Sequence, residues 1–406
     1  MIGVITAVDI GLAALNFGQS LLCRLPGSKR TPTADVRSRP AVLVVRCDAK
    51  IGDSLLCLPF IRYVRQSYPE HEIHLLHHAS ARAIFEQCSD IDRRIEITWN
   101  PSSPLSIWHR RKLCAATFEA IEPGVSYDAA FAPRWDYDLF GPFMLWYSGA
   151  KQRIGFSSKN NLRRRLRNFG SDSLFTRTVT DVSVRHESIR AIRLLDRDIA
   201  GLSKSLPSIN YRWSAGDFQC VCERLAALRI DTRRLVALAP GAAGARRQWP
   251  LDRFAELGRR YTQALGAEVI LLGAPSEAQA CERICAEAGV RLQNNFAGRL
   301  TLAQNAALLS LVEQFVGNDS GLSHLAAAAG CPSIVQISCH PLTGDDNHAN
   351  SPLRFGPSSQ YATVLQPSVP AAPECKHGCT HDDAPHCILG VTVDQVWDVV
   401  VGTRRN

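Results

Sequence analysis

The sequence predicts an α/β protein built from two successive parallel-sheet halves, and three observations lead there. Short, wholly apolar, β-branched runs recur along the chain, as strands buried on both faces require. Each run ends in a loop carrying glycine or charge, and most loops open into a segment of helical spacing. With 406 residues, the chain is also long for one core. The first half begins with the strand "AVLVV" (41–45), the turn "RCDAKIGDS", the helical "LLCLPFIRYVRQSYP" closed by Pro69, and a second strand "EIHLL" (72–76). Further strands are expected at "RIEITW" (94–99) and "YDAAFAP" (127–133), followed by a helical "HESIRAIRLLDRDI". Polar residues 201–215, with Pro207, mark the junction. The second half opens with "RLVALAP" (234–240), the loop "GAAGARRQ" and the helical "WPLDRFAELGRRYTQAL", with Pro250 in its first turn. The strands "EVILLGAP" (268–275), "EQFVGND" (313–319) and "CPSIVQIS" (331–338) continue the series. The expected organisation is an N-terminal extension and linker (1–40), two α/β domains (41–205 and 206–375), and a Cys/His-containing tail with a closing helix (376–406). Two such halves facing one another leave a cleft lined by the carboxyl ends of their strands, and a ligand is expected there.

Composition narrows the class. With 46% hydrophobic and 21% charged residues, disordered and collagen-like chains are excluded. The net charge is +8, and part of the arginine excess clusters in "NNLRRRLRNFG" (160–170), which suits either an anionic partner or a solvated loop. No basic motif interleaved with aromatics accompanies it, so nucleic acid is not an expected partner. Most of the 14 cysteines, such as Cys47, Cys57, Cys331 and Cys339, stand singly in apolar surroundings, as buried thiols of a reducing compartment do. The tail "CKHGCTHDDAPHC" differs, gathering Cys375, Cys379 and Cys387 with His377, His381 and His386. Such clusters can bind zinc, but the usual two CxxC pairs are missing, and no metal is assigned. The N-terminal "MIGVITAVDIGLAALNFGQSLLC" is apolar yet carries Asp9, Asn16 and Gln19 and lacks a basic start. It makes a poor signal peptide and a poor membrane span, and fits a segment that packs on the protein or lies on a membrane. "RLPGSKRTPTADVRSRP" after it reads as a polar linker.

Four loops at strand ends hold the residues that carry chemistry, because helix N-termini offer free amides and a positive dipole to an anion. In "PGAAGARRQWP", Gly241 and Gly244 allow close backbone approach, while Arg246 and Arg247 supply cationic forks for phosphate oxygens. No GK[ST] follows, so this is not a P-loop. In "LLGAPSEAQ", Glu277 stands where an acid could accept hydrogen bonds from a ribose, or simply where helix first turns favour acids. "GNDSGLSH" offers the Ser320 and Gly321 amides and the Ser320 hydroxyl to a diphosphate, with Asp319 anchoring the loop or reaching a sugar hydroxyl. It is not the GxSxG elbow, which argues against a serine hydrolase. In the first half, "CDAKIGDSLL" ends its strand with Asp48, Lys50, Gly52 and Asp53 and lacks GxGxxG, so no dinucleotide site is expected there. Asp53 is either a helix cap or a general base towards an incoming hydroxyl.

Taken in order, "VLVVRCDAKIGDSLLCLPFIRYVRQSYP", "LAPGAAGARRQWPLDRFAEL", "ILLGAPSE", "FVGNDSGLSHLAAAAGCPSIVQIS" and the closing "CILGVTVDQVWDVV" resemble the family-nine glycosyltransferases, the ADP-heptose:lipopolysaccharide heptosyltransferases. The resemblance runs from about residue 41 to the C-terminus. It implies a GT-B architecture, two Rossmann-like domains facing across a cleft, and inverting, metal-independent transfer of a heptose from an ADP-heptose-like donor to a lipid-linked saccharide acceptor such as a lipopolysaccharide core. No cofactor is implied. Carried over by motif, Asp53 is the base, Lys50 and Gly52 lie on the acceptor or phosphate side, Arg247 stands for the family's phosphate-binding lysine, and Glu277 meets the ribose. Gly241 and Arg246 belong to the donor loop, Asp319 holds the donor, and Ser320, Gly321 and His324 line its diphosphate side. Acceptor contacts are expected near "PRWDYDLFGPF" and "LRRRLR". The place of work is the cytoplasm, at the inner face of the inner membrane, with contact to its anionic surface. A nucleotide-sugar epimerase or hydrolase of GT-B type, or a non-catalytic nucleotide-sugar binding protein, are the alternatives. This chain departs from the pattern in carrying Ala242 and Ala243 where a hydroxyl residue often follows the Pro-Gly, and in its N-terminal extension.

Overall fold

Backbone groups of apolar strands can be satisfied in a buried core only by neighbouring strands, and both halves of this chain solve that problem with all-parallel sheets. The computed structural model describes residues 7–23, 40–121, 125–196 and 206–403. Its contacts divide the chain into two units, Met1–Ser183 with Glu187–Leu202, and Val184–His186 with Ser203–Asn406.

The first unit holds β1 (Ala41–Arg46), β2 (Glu72–His78), β3 (Arg93–Ile97), β4 (Tyr127–Ala132), β5 (Gln152–Phe156) and β6 (Arg177–Val179) in the order β3-β2-β1-β4-β5-β6. The chain winds outward from β1 to β3, then returns to the middle and winds the other way from β4. The switch point therefore lies between β1 and β4, where a doubly wound sheet opens a crevice at its strand ends. The second unit holds β7 (Leu235–Ala239), β8 (Glu268–Leu271), β9 (Gln314–Asn318), β10 (Ile334–Ile337) and β11 (Ala362–Leu365) in the order β11-β10-β9-β7-β8. Here the switch falls between β7 and β9.

The central strands are apolar because both faces are covered: every residue of β7 is buried. Helix Leu251–Leu265 buries Phe254, Leu257, Gly258 and Tyr261, one face at helical spacing, and Gly266 stops it in the left-handed region at φ +57°. Each fully buried Phe or Leu in such a core contributes about 1.5–3 kcal/mol. The closing helix Val393–Thr403 and the thiols of Cys375, Cys379 and Cys387 sit in this same core, so the tail is a part of the second unit and not an appendage to it.

Several sequence expectations are corrected by packing. Strands β5, β6 and β11 escape the pattern because they are short and carry arginine or are only half-buried. The expected helix after β1 is two helices, Ile51–Leu55 and Leu58–Ser67, since Pro59 has no amide to bond back to the preceding turn. "HESIRAIRLLDRDI" makes only one α-turn, Glu187–Arg190, followed by a 3₁₀ turn Ala191–Leu195, and its last residues lie outside the described ones. The arginine-rich stretch is a helix, Leu162–Arg167, capped by Asn161. One of its arginines is structural: Arg164 is buried and donates to the carbonyls of Phe156 (2.7 Å) and Arg134 (2.9 Å). Burial lowers its pKa to about 10.

The N-terminal helix Ala7–Cys23 packs on the first unit with its polar side inward. Asp9 pairs with Arg167 (2.6 Å), Asn16 donates to the Arg167 carbonyl, and the Gln19 carboxamide accepts from buried Arg110 (2.8 Å). Val8, Ile10, Phe17, Leu21 and Leu22 are left exposed. The linker reading of 24–40 falls almost wholly outside the described residues. Among the described residues, no helix is long and apolar enough to cross a membrane.

Candidate functional site

In the first unit, the loops that follow β1 and β4 meet at the switch point. Asp48 lies between Arg46 (2.8 Å) and Arg134, tying one loop to the other. Burial, and next the neighbouring Arg46 charge, lower the pKa of Arg134. Lys50 is exposed and takes the cap position of helix Ile51–Leu55, with Gly52 second and Asp53 third in the helix. Asp53 is thus not the cap. Its half-buried carboxylate has no hydrogen-bond or ion-pair partner among the described residues. It lines a small cavity with Arg46, Leu56, Cys57, Pro133, Glu187 and Ala191. Burial pushes the Cys57 thiol up to about 11, so it is protonated at neutral pH and is no nucleophile. Glu187 is paired with Arg190 at 3.5 Å. Asp53 is therefore the carboxylate of this cavity that no protein group claims.

In the second unit the loops after β7, β8 and β9 assemble around one buried carboxamide. Asn318, the last residue of β9, accepts from the Trp249 amide (3.1 Å) and donates to the Pro240 carbonyl (2.6 Å). It therefore holds both ends of loop 241–248. Trp249, fully buried, donates its indole N–H to the Val391 carbonyl (2.8 Å) and fixes the loop to the unit's core. Within the loop, a 3₁₀ turn Ala245–Arg247 sends the two arginines different ways. Arg246 pairs with Asp382 of the tail. Arg247 lies 3.7 Å from the Asp319 carboxylate and donates to the Asn350 side chain (3.1 Å).

Glu277 reaches back over the same loop. A Cβ added to Gly241 would fall within 1.9–2.2 Å of the Glu277 carboxylate, so only glycine lets that carboxylate lie against the Pro-Gly turn. One of its oxygens accepts from the Ala274 amide at 2.7 Å. On the other side, Asp319 is fixed by its amide to the Ile337 carbonyl (3.1 Å). Ser320 occupies the cap position of helix Gly321–Ala328 but makes no side-chain cap, and its buried hydroxyl oxygen has no partner among the described residues. The first amides of that helix, from Gly321 on, have no partner within it, and His324 is buried one turn along.

The structure therefore joins Arg247 to Asp319 and Gly241 to Glu277, and sets Ser320 and Gly321 at a helix start beside Asp319. It turns Arg246 away to the tail. A guanidinium fork, an unclaimed hydroxyl and helix-terminal amides make an anion seat, and carboxylates next to it suit hydroxyl groups. Asn318, Asn350, Arg134 and Asp382 hold these loops in place through partners distant in the chain, which no single loop of the sequence displays.

Residues 141–383, more than half of the chain, match the profile of glycosyltransferase family 9 (heptosyltransferase). The chain is 25% identical over 300 residues to lipopolysaccharide heptosyltransferase 2 of Escherichia coli (strain K12), covering 70% of this chain and 79% of that one. The structure of the E. coli ADP-heptose lipopolysaccharide heptosyltransferase II is similar, with a TM-score of 0.64 at 22% identity, covering 89% of this chain and 98% of that one. A family 9 glycosyltransferase from Veillonella parvula DSM 2008 is similar at TM-score 0.67 and 17% identity, covering 91% and 98%. These likenesses show the fold, GT-B, with its two Rossmann-like units.

Replacing Asn318 by leucine, close in size but without polar atoms, leaves the Trp249 amide and the Pro240 carbonyl unpaired in the core. A loss of about 1–3 kcal/mol per group is expected, with faster amide exchange at Trp249. Exchange at the wild-type rate would show that the latch does not hold the loop.

Proposed function

The chain belongs to glycosyltransferase family 9 and is a glycosyltransferase; from that premise we propose that it moves a heptose from an ADP-heptose donor to a lipopolysaccharide core or a related lipid-linked glycan. The observation that carries the reading is Arg247 standing beside Asp319 at the head of helix Gly321–Ala328, where β7 and β9 part. A departing nucleoside diphosphate gains negative charge as the glycosidic bond breaks. Fixed cations and amides aimed at that charge stabilise the transition state without reorganising.

In this reading Arg247, the Ser320 hydroxyl and the amides from Gly321 on hold the diphosphate, and His324 backs that wall. Glu277 accepts from the ribose, and Asp319 both orients Arg247 and meets a sugar hydroxyl. Arg246, committed to Asp382, steadies the loop instead of binding the donor. Asp53 takes the proton from the acceptor hydroxyl while that oxygen attacks the anomeric carbon from the face opposite the leaving ADP, which inverts the configuration. Its lack of a protein partner supports that role, because a base already held by donors would first have to be released. Charge on the leaving group is met by Arg247 and amides, so the transfer needs no added divalent cation.

The exposed face of the N-terminal helix supports peripheral attachment to the cytoplasmic side of a membrane. Phe17 packs at a tilt against Phe169 with ring centroids 5.6 Å apart, both exposed, and Arg163 and Arg165 stand exposed on the adjoining helix. Apolar side chains beside basic ones suit an anionic lipid surface. All fourteen cysteines are free, as fits a reducing compartment.

Transfer to truncated core oligosaccharide and calorimetric binding of ADP test this together. Asp53→Asn is expected to cut transfer by about 10²–10⁴-fold and leave ADP affinity as it was; Arg247→Ala is expected to weaken ADP binding about 10- to 100-fold. Transfer retained by the Asp53 variant removes the base role, and sugar release from donor alone points to a hydrolase. A double substitution Phe17→Ser with Leu21→Ser is expected to abolish co-sedimentation with phosphatidylglycerol vesicles while sparing transfer to a soluble acceptor. Unchanged sedimentation would remove the membrane face.

A further inference from the structure

Between the end of β11 and the closing helix, residues 366–392 contain only two short 3₁₀ turns, Pro373–Cys375 and Cys387–Gly390. So long an irregular segment inside a packed unit needs something other than backbone pairing to hold it. Four side chains converge within it. The Sγ atoms of Cys375, Cys379 and Cys387 and a ring nitrogen of His386 all lie within 4.8 Å of one another. The His386 Nδ1 atom is 3.7 Å from the Cys375 sulfur, 4.0 Å from that of Cys379 and 3.4 Å from that of Cys387.

We propose that Cys375, Cys379, His386 and Cys387 bind one zinc-type divalent cation in a tetrahedral Cys3His site. Metal–sulfur bonds of about 2.3 Å and metal–nitrogen bonds of about 2.0–2.1 Å set the edges of such a tetrahedron at about 3.5–3.8 Å. The observed sulfur–nitrogen separations of 3.4–4.0 Å bracket that value. Buried thiols alone could be small apolar side chains. That account gives no reason for an imidazole nitrogen to point among three of them, since it finds no oxygen partner there.

The surroundings fit ligands in need of orientation. The His381 ring stacks on His386 at 3.9 Å, and the His381 Nε2 atom lies 3.2 Å from Glu374. The Ala371 amide donates to the Cys387 sulfur at 3.5 Å, as amides do to metal-bound thiolates. Three thiolates and one neutral imidazole are the donor set that favours zinc or ferrous iron over magnesium or calcium.

The site also reaches the phosphate loop. The Cys379 carbonyl accepts from Asn350 (3.3 Å), whose other end holds Arg247 (3.1 Å), and Asp382, inside the metal loop, pairs with Arg246. A cation that fixes 375–387 therefore fixes both arginines; this consequence rests on the donor reading above, whereas the metal site itself does not.

Elemental analysis of the full-length protein purified under reducing conditions without added metal tests the site. About one zinc or iron per chain is expected, with an X-ray absorption spectrum of three sulfur neighbours and one nitrogen; the element found decides between the two metals. Cys379→Ser and His386→Ala are expected to lose the metal, while His386→Cys, which restores four ligands, keeps it. Metal-free wild-type protein whose three thiols all alkylate after denaturation, or a disulfide between any two of them, overturns the site. Stripping the metal with a chelator is expected to weaken ADP binding at least tenfold. Unchanged ADP affinity in stripped, folded protein overturns the link to the phosphate loop and leaves the metal count to judge the site.

Discussion

One buried carboxamide organises the second unit. Asn318 ends β9 at the switch point and is the shared partner of both ends of the loop that follows β7. A parallel sheet fixes where neighbouring strands end, and here Ala239 of β7 pairs with Gly317 of β9. The loop must therefore start and finish beside Asn318, and the next residue, Asp319, is delivered to Arg247. The meeting of cation and carboxylate is a consequence of strand register and one amide side chain. The core contact of Trp249 makes that arrangement costly to undo.

The first unit uses the same device with charges. Asp48, between Arg46 and Arg134, joins the loops after β1 and β4 and consumes those charges in holding the backbone. What remains unclaimed next to that tie is Asp53. A useful division follows: groups already engaged, such as Asp48, Arg246 and Asn350, hold loops in place. Groups left without partners, such as the Asp53 carboxylate, the Ser320 hydroxyl and the helix-start amides, are free for a substrate. Burial of an unpartnered polar atom costs stability, so its persistence at a site is informative.

Much of this was legible in the sequence, for physical reasons. Central parallel strands such as β1 and β7 are apolar from end to end and announce themselves, and loops at their ends carried Arg247, Glu277 and Asp319 in plain view. The outer strands β5 and β6, the second of them at the sheet edge, did not, because Arg153 and Arg177 break the apolar run while their side chains bond to carbonyls elsewhere. In the N-terminal helix, Asp9, Asn16 and Gln19 look like interruptions of an apolar segment, yet they form its buried face. Periodicity cannot say which face of a helix turns inward when the buried partners are arginines. The destination of Arg246 was equally hidden, since Asp382 lies far along the chain in the tail. The Cys/His cluster of the tail was in view as a possible zinc binder, but its spacing follows none of the paired motifs and did not say that His386, and not His377 or His381, would join Cys375, Cys379 and Cys387.

In the proposed function the loops leaving β7 and β9 seat the donor's diphosphate. A crystal structure of the protein with ADP tests it most directly. The diphosphate is expected against the Arg247 guanidinium, the Ser320 hydroxyl and the first amides of helix Gly321–Ala328, with the ribose hydroxyls on Glu277. ADP held elsewhere, with the Ser320 hydroxyl still unpartnered and Arg247 still facing only Asp319 and Asn350, would contradict it.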